Sequence, residues 1–235
     1  MPSPTWLDFA RLSEASYDPA MTSVTGGWTR IWFGAINEGF KGGRYQRTNG
    51  SSIDEVCVFA GTDSAEDALA DVGFGLGSAV GSIAGAISPV LGVLISAGAS
   101  GLSGQMTFAL ELMRQAQWSV GKTRGALYVT GHSLGGGLAQ IVVAELGGKA
   151  APISAPTVSQ LPGLNTRYSR NRPTIVNLRV ENDPINGTEV LGSRLGATTR
   201  LMTARGTAGA HSITGTVTDL GPTGCATSLG RTCPL

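Results

Sequence analysis

Ser133 stands between Gly131 and Gly135 in the stretch LYVTGHSLGGGLAQ (127–140), a G-x-S-x-G pattern that follows a short apolar run and precedes a helix-compatible segment. A serine held on a sharp strand-to-helix turn presents its hydroxyl at the edge of a sheet, and the turn accepts only very small residues two positions to either side. The strand before and the helix after separate this arrangement from a glycine-rich turn that merely contains serine. The helix that follows also aims its first N–H groups at the place where negative charge develops on an attacked carbonyl.

A serine hydroxyl needs a base to take its proton and a carboxylate to orient that base. The chain holds two histidines. His132 adjoins Ser133, and neighbouring side chains diverge at such a turn, which predicts that it packs beneath the elbow. His211, in AGAHSITG between Gly209 and Gly215, is left as the base. In the chain order nucleophile, acid, histidine, the acid falls between 133 and 211, where Glu145, Glu181, Asp183 and Glu189 stand. Asp183 is preferred because it follows an apolar run ending at Val180 and precedes Pro184, and strand ends are where α/β sheets place their sites. Glu181 is the reserve, its position suiting a solvated charge equally well. Two N–H donors are needed for the oxyanion. One is expected from Leu134 and the other from the loop in VFAGTDS (58–64), where Gly61 allows a tight turn and Thr62 offers an N–H and a hydroxyl.

These residues must be carried by a scaffold, and the pattern predicts one. Trp6, Leu7, Phe9, Ala10 and Leu12 recur at helical spacing over 5–15, and Met106, Ala109, Leu110 and Met113 do so over 105–118. Segments 28–36, 53–61, 126–130, 150–155 and 174–180 read as strands, with a Gly-, Asn- and Ser-rich connection between the first two. Strands alternating with helices argue for an α/β domain around a largely parallel sheet. At 235 residues one domain spanning 1–235 accounts for the chain.

One stretch breaks this grammar. No charged residue occurs between Asp71 and Glu111, and Gly73, Gly77, Gly81 and Gly85 repeat every four positions, along one helical face where a second backbone can approach closely. Pro89 divides the run into arms, each short for a membrane span of about 20 residues.

Composition narrows the function. Charged residues make up 14% of the chain against roughly 25% in typical soluble domains. A formal net charge of +1, with no lysine-rich block, gives no field to gather nucleic acid, and Arg167, Arg170 and Arg172 read as a solvated loop. The three cysteines have no metal spacing. Cys57 reads as a buried thiol, while Cys225 and Cys233 are left open between a disulfide and free thiols. The first residues lack the basic-then-apolar order of a Sec signal, so the expected location is cytoplasmic, or outside by a specialised secretion route.

At GHSLGG (131–136), VFAGTDSAEDALADV (58–72) and VENDPI (180–185) the sequence resembles the class 3 lipases, the fungal-lipase-like branch of the α/β-hydrolases. The second stretch is similar to the family's F-R-G-T segment with its downstream aspartate, and the third to its acid-bearing turn. The resemblance runs over roughly residues 5–215, and only these short stretches are specific. It implies an α/β-hydrolase fold, Ser133, Asp183 and His211 as the triad, and Thr62 with Leu134 as the oxyanion hole. Ala60 stands where the family usually has arginine, a departure that touches a structural ion pair rather than the chemistry.

The resemblance also implies a lid after the oxyanion segment, a position held here by 72–104. Three readings of that run are carried forward: a lid or lipid contact, an insertion packed into the core, and a membrane hairpin. The expected activity is that of a serine carboxylester hydrolase on lipid esters, a lipase or phospholipase A, needing no cofactor. Its expected partners are the lipid ester, a lipid interface met through 72–104 and, for an exported effector, an immunity protein. Alternatives are a membrane-active glycine-zipper protein and a small-ester esterase or thioesterase.

Overall fold

The computed structural model describes residues 3–35, 41–61 and 101–221. Within them one eight-stranded sheet runs in the order β1 to β8. Strands β1 (Ser23–Val24), β2 (Trp28–Ala35), β3 (Lys41–Asn49) and β4 (Ser52–Phe59) form an antiparallel meander. From β4 onward the sheet is parallel through β5 (Leu127–His132), β6 (Lys149–Ile153), β7 (Thr174–Val180) and β8 (Ala197–Leu201). The sheet is thus mixed. Its parallel half carries the aliphatic runs that the sequence makes conspicuous, because strands covered on both faces need apolar residues on both.

The connection expected between the first two strands contains a strand of its own, β3. Its buried positions are Gly42, Gly43, Tyr45 and Arg47, none of them aliphatic, so it shows no hydrophobic alternation. A two-residue turn joins it to β4, with Asn49 opposite Ser52 and Gly50 at φ +63°, the sign that short hairpin turns require.

Helix α1 (Trp6–Ala15) begins with a capping box: the Asp8 N–H donates to Thr5 Oγ1 at 3.2 Å, and the Thr5 N–H donates to the Asp8 carboxylate at 2.8 Å. Its buried face, Trp6, Phe9, Ala10 and Leu12, packs with Tyr45, Val56, Tyr128, Ile153 and Leu178 on one side of the sheet, joined there by Ile213 and Leu220 of the C-terminal helix Ile213–Leu220. On the other side, α2 (Gly101–Thr123) and α3 (Leu134–Leu146) bury Ala109, Leu112, Met113, Leu138, Ile141 and Val142 against Cys57, Phe59 and Val129. Helix α2 is longer at both ends than the 105–118 read from periodicity, and its first turn takes in residues 101–104. Helix α4 (Leu164–Asn171) packs on α3 through Leu164 and Tyr168, and it carries Arg167, which pairs with Glu145, where a solvated loop was expected. No helix among the described residues is long and apolar enough to cross a membrane.

The parallel arrangement brings the carboxyl ends of β5, β6, β7 and β8 to one edge of the sheet. That edge carries Ser133, Asp183 and the 202–212 connection.

Candidate active site

Ser133 sits between β5 and α3 with φ 57° and ψ −127°, a backbone region costing an L-residue on the order of 1–3 kcal/mol. The two flanking glycines are required by packing. A Cβ on Gly131 would lie 2.5 Å from Gly135 and Phe59 backbone atoms, and one on Gly135 would lie 2.1 Å from the Phe59 carbonyl oxygen. The Ser133 N–H donates to Ile153 O at 3.1 Å, which fixes the turn against β6.

His211 is carried between the short helix α5 (Thr207–Ala210) and the C-terminal helix α6 (Ile213–Leu220). Its Nε2 lies 3.0 Å from Ser133 Oγ and its Nδ1 lies 2.9 Å from Asp183 Oδ1. A carboxylate accepts, so Nδ1 carries the proton and Nε2 is free to accept from the serine hydroxyl. All three side chains are buried. Asp183 caps a 3-10 helix (Pro184–Val190) by accepting the Ile185 N–H at 2.9 Å. Around that turn, Asn186 donates to Val180 O at 2.9 Å, and Arg194 donates to Ala155 O at 2.8 Å and to Asn186 Oδ1 at 2.9 Å.

The other three carboxylates considered for the acid lie elsewhere. Glu181 pairs with Arg179 and Arg200, Glu189 with Arg179 and Arg194, and Glu145 with Arg167. Leu134 opens α3, where its N–H is one of the four that a helix leaves without an internal acceptor. Thr62 lies outside the described residues, as do 72–100 of the apolar run and the pair Cys225 and Cys233. The residue before Thr62 is described: Gly61 lies so close to the elbow that a Cβ there would be 2.9 Å from Ser133 Cβ.

His132 packs beneath the elbow, fully buried, with Nε2 2.8 Å from His211 O and Nδ1 3.0 Å from the Tyr17 hydroxyl. Burial, and after it the neighbouring His211, hold it well below the ordinary histidine range, outweighing the hydrogen bond to the His211 carbonyl. Tyr17 was not singled out from sequence, since nothing in its surroundings marks it. Cys57 is buried and its thiol is pushed far up, first by burial and then by Glu55. Among the described residues no cluster of His, Cys, Asp and Glu has the arrangement of a metal site.

Residues 56–170 match the family model for lipase (class 3). Among solved structures, a native Rhizomucor miehei lipase propeptide complex aligns with TM-score 0.51 and 15% identity over 82% of this chain and 66% of that one. Lipase II from Rhizopus niveus aligns with TM-score 0.52 and 14% identity over 86% of this chain and 81% of that one. A triacylglycerol lipase from Penicillium expansum aligns with TM-score 0.50 and 14% identity over 86% and 80%. The chain thus spans just under two thirds of the Rhizomucor structure's length. No curated protein matches it.

Sheet order, elbow and structural likeness together define an α/β-hydrolase fold. Its segment 56–170 is similar to the class 3 lipases, and the fold agrees with that likeness.

Proposed function

We propose that the chain is one α/β-hydrolase domain acting as a serine hydrolase on lipid carboxylic esters, a lipase or phospholipase A. Ser133 Oγ attacks the ester carbonyl while His211 Nε2 takes its proton, forming a tetrahedral oxyanion held by the N–H groups of Leu134 and Thr62. Collapse expels the alcohol, which receives the proton from His211, and leaves an acyl group on Ser133. Water, deprotonated by His211, then releases the fatty acid and restores the hydroxyl. Asp183 keeps His211 in the tautomer that this sequence of transfers requires, and stabilises the imidazolium that forms twice.

The observation that carries the reading is the continuous contact from Ser133 Oγ to His211 to Asp183, 3.0 and 2.9 Å, at a buried elbow within the segment that matches the class 3 lipase model. Lipid rather than a small ester is favoured by the charge-free run that follows the oxyanion loop, since no charged residue separates Asp71 from Glu111. In this reading 72–104 is a lid that meets the lipid interface.

The test is fatty-acid release by the purified protein and by Ser133→Ala, from triglyceride and from phospholipid, each below and above the concentration at which it forms an interface. Wild type releases fatty acid with a jump at the interface, and the variant releases none. Absence of hydrolysis of every ester by wild type overturns the reading, and equal rates on monomer and interface remove the lid from it.

A further inference from the structure

Tyr17 and His132 exchange no proton in the proposed reaction, yet together they join the parts that the reaction uses. The direction of each hydrogen bond between them follows from its partners. The His211 carbonyl oxygen accepts only, so His132 carries its proton on Nε2 and donates across 2.8 Å. His132 Nδ1 is then an acceptor, and the Tyr17 hydroxyl donates to it across 3.0 Å. The Tyr17 oxygen in turn accepts the Gly61 N–H at 2.9 Å. One run of three hydrogen bonds therefore leads from the backbone just before Thr62, through Tyr17 just past α1 and through His132, to the backbone of the base-bearing residue.

Ser133 is covalently attached to His132, the member of this run next to His211. The His132 ring also lies against the His211 ring, with centroids 4.7 Å apart and planes at 43°. Nucleophile, base and the Gly61 backbone thus share one reference point, and His132, kept neutral by burial, holds it without competing for the proton.

We propose that Tyr17 and His132 are positioning residues that set the His211 loop and the Gly61 backbone at fixed spacing about Ser133. The proposal rests on the hydrolase reading for its kinetic consequence. Displacements of this kind weaken transition-state contacts more than ground-state binding, so the loss falls on kcat while KM holds.

Three variants test it with a soluble short-chain p-nitrophenyl ester. Tyr17→Phe keeps the ring and removes the hydroxyl. His132→Gln keeps a side-chain donor within reach of the His211 carbonyl, whereas His132→Asn keeps only an acceptor near Tyr17. We expect Tyr17→Phe to lower kcat by about 10- to 100-fold with KM within about twofold, a misplacement effect of the usual size. His132→Gln should retain more kcat than His132→Asn, and Tyr17→Phe combined with His132→Asn should be no slower than the slower single variant. Unchanged kcat in Tyr17→Phe, or losses that multiply independently in the double variant, would overturn the proposal.

Ring-nitrogen NMR provides a reading independent of turnover. His132 should show the Nε2–H tautomer in wild type, and the His211 ring signals should move in Tyr17→Phe. If wild type hydrolyses no ester but these signals behave as expected, the hydrolase reading fails while the positioning network stands. If the His211 signals stay still, the network fails whatever the activity.

Discussion

Two buried polar networks occupy opposite edges of the same sheet, and they are built differently. At the amino edge of the parallel half, Arg47 and Asp54 face each other across β3 and β4 with N···O 3.4 Å. Asp54 also accepts from Asn49 at 2.8 Å and from the Ala126 N–H at 2.9 Å, while Arg47 lies over the Trp28 ring at 4.4 Å. On the other face of β4, Glu55 takes Arg44 and Gln46. These partners come from adjacent strands in register, and each buried acid has a cation beside it. At the carboxyl edge, Ser133, Asp183 and His211 come from three distant segments, and Asp183 is met by two N–H groups, of His211 and Ile185, with no cation paired to it among the described residues. A neutralised network holds strands together. A carboxylate that is hydrogen-bonded but not neutralised keeps a negative potential beside an imidazole, which favours the imidazolium that the proposed proton transfer from Ser133 would create.

The contrast predicts opposite outcomes for superficially similar changes, and the largest concerns the carboxyl edge. Ser133→Ala and Asp183→Asn should each lower turnover by about 10⁴-fold or more, the usual size for such groups, with little change in the denaturation midpoint. Kinetics and thermal melts on the same preparations check this. Asp183→Asn unfolding the chain while leaving kcat intact would erase the distinction.

Asp54→Ala should do the reverse. Removing one partner leaves Arg47 charged and buried, a loss of about 3–5 kcal/mol. For a chain of this size that lowers the midpoint by about 2–4 °C per kcal/mol, while kcat of the folded protein stays near wild type. Replacing both partners, Arg47→Met with Asp54→Leu, should recover much of the stability, since a buried ion pair contributes little over well-packed apolar groups.

His132 gives a third effect, of intermediate size, through pH. Its folded pKa lies well below the ordinary value, for burial first and His211 second, whereas in the unfolded chain it titrates near about 6.5. Below that pH the unfolded state binds the extra proton and the folded state does not, so stability falls on acidification. The slope from this group is up to about 1.4 kcal/mol per pH unit, between about pH 6.5 and the folded value. Denaturant midpoints from pH 7 to pH 5 should fall for wild type and less steeply for His132→Gln. Equal slopes would mean that His132 is charged in the fold, which the Nε2–H and Tyr17 contacts oppose.

What the sequence made legible follows from how local each signal is. The elbow was readable because its demands, two glycines and a serine between strand and helix, fall within five residues. Strands β4, β5 and β7 were readable because each carries β-branched, aliphatic or aromatic residues close together: Val56, Val58 and Phe59; Tyr128 and Val129; Ile175, Val176 and Leu178. Strand β3 was hidden because its inward residues are glycines, Tyr45 and Arg47, and the last two fit only against Val56 and Asp54 of the partner strand. Strand β8, with one buried residue, Leu201, at its end, gave no pattern at all. Asp183 emerged from its place after β7, but Tyr17 could not: it meets His132 across 115 positions, and only folding brings α1 to that edge. A tyrosine following an amphipathic helix carries no signal of such a partner.

Glu189 provides the smallest and most discriminating change, because it stands between the two designs. It sits beside the acid turn yet pairs with cations, Arg179 at 3.0 Å and Arg194, and its side chain is 41% exposed. Burial opposes its charge, and hydrogen bonds from Arg194 and Arg179 overcome that, leaving its carboxyl below the ordinary range. A depressed carboxylate stabilises the fold above its unfolded pKa, and the contribution is lost as pH falls through the folded value. Screening at such an exposed position limits it to less than about 1 kcal/mol. Glu189→Gln should therefore shift the denaturant midpoint slightly at pH 7 and less at pH 3. It should barely alter kcat, because Asn186 still reaches Val180 O and Arg194 still reaches Ala155 O. A loss as large as that of Asp54→Ala would show that charge pairing holds the carboxyl edge too, and the two edges would no longer differ in kind.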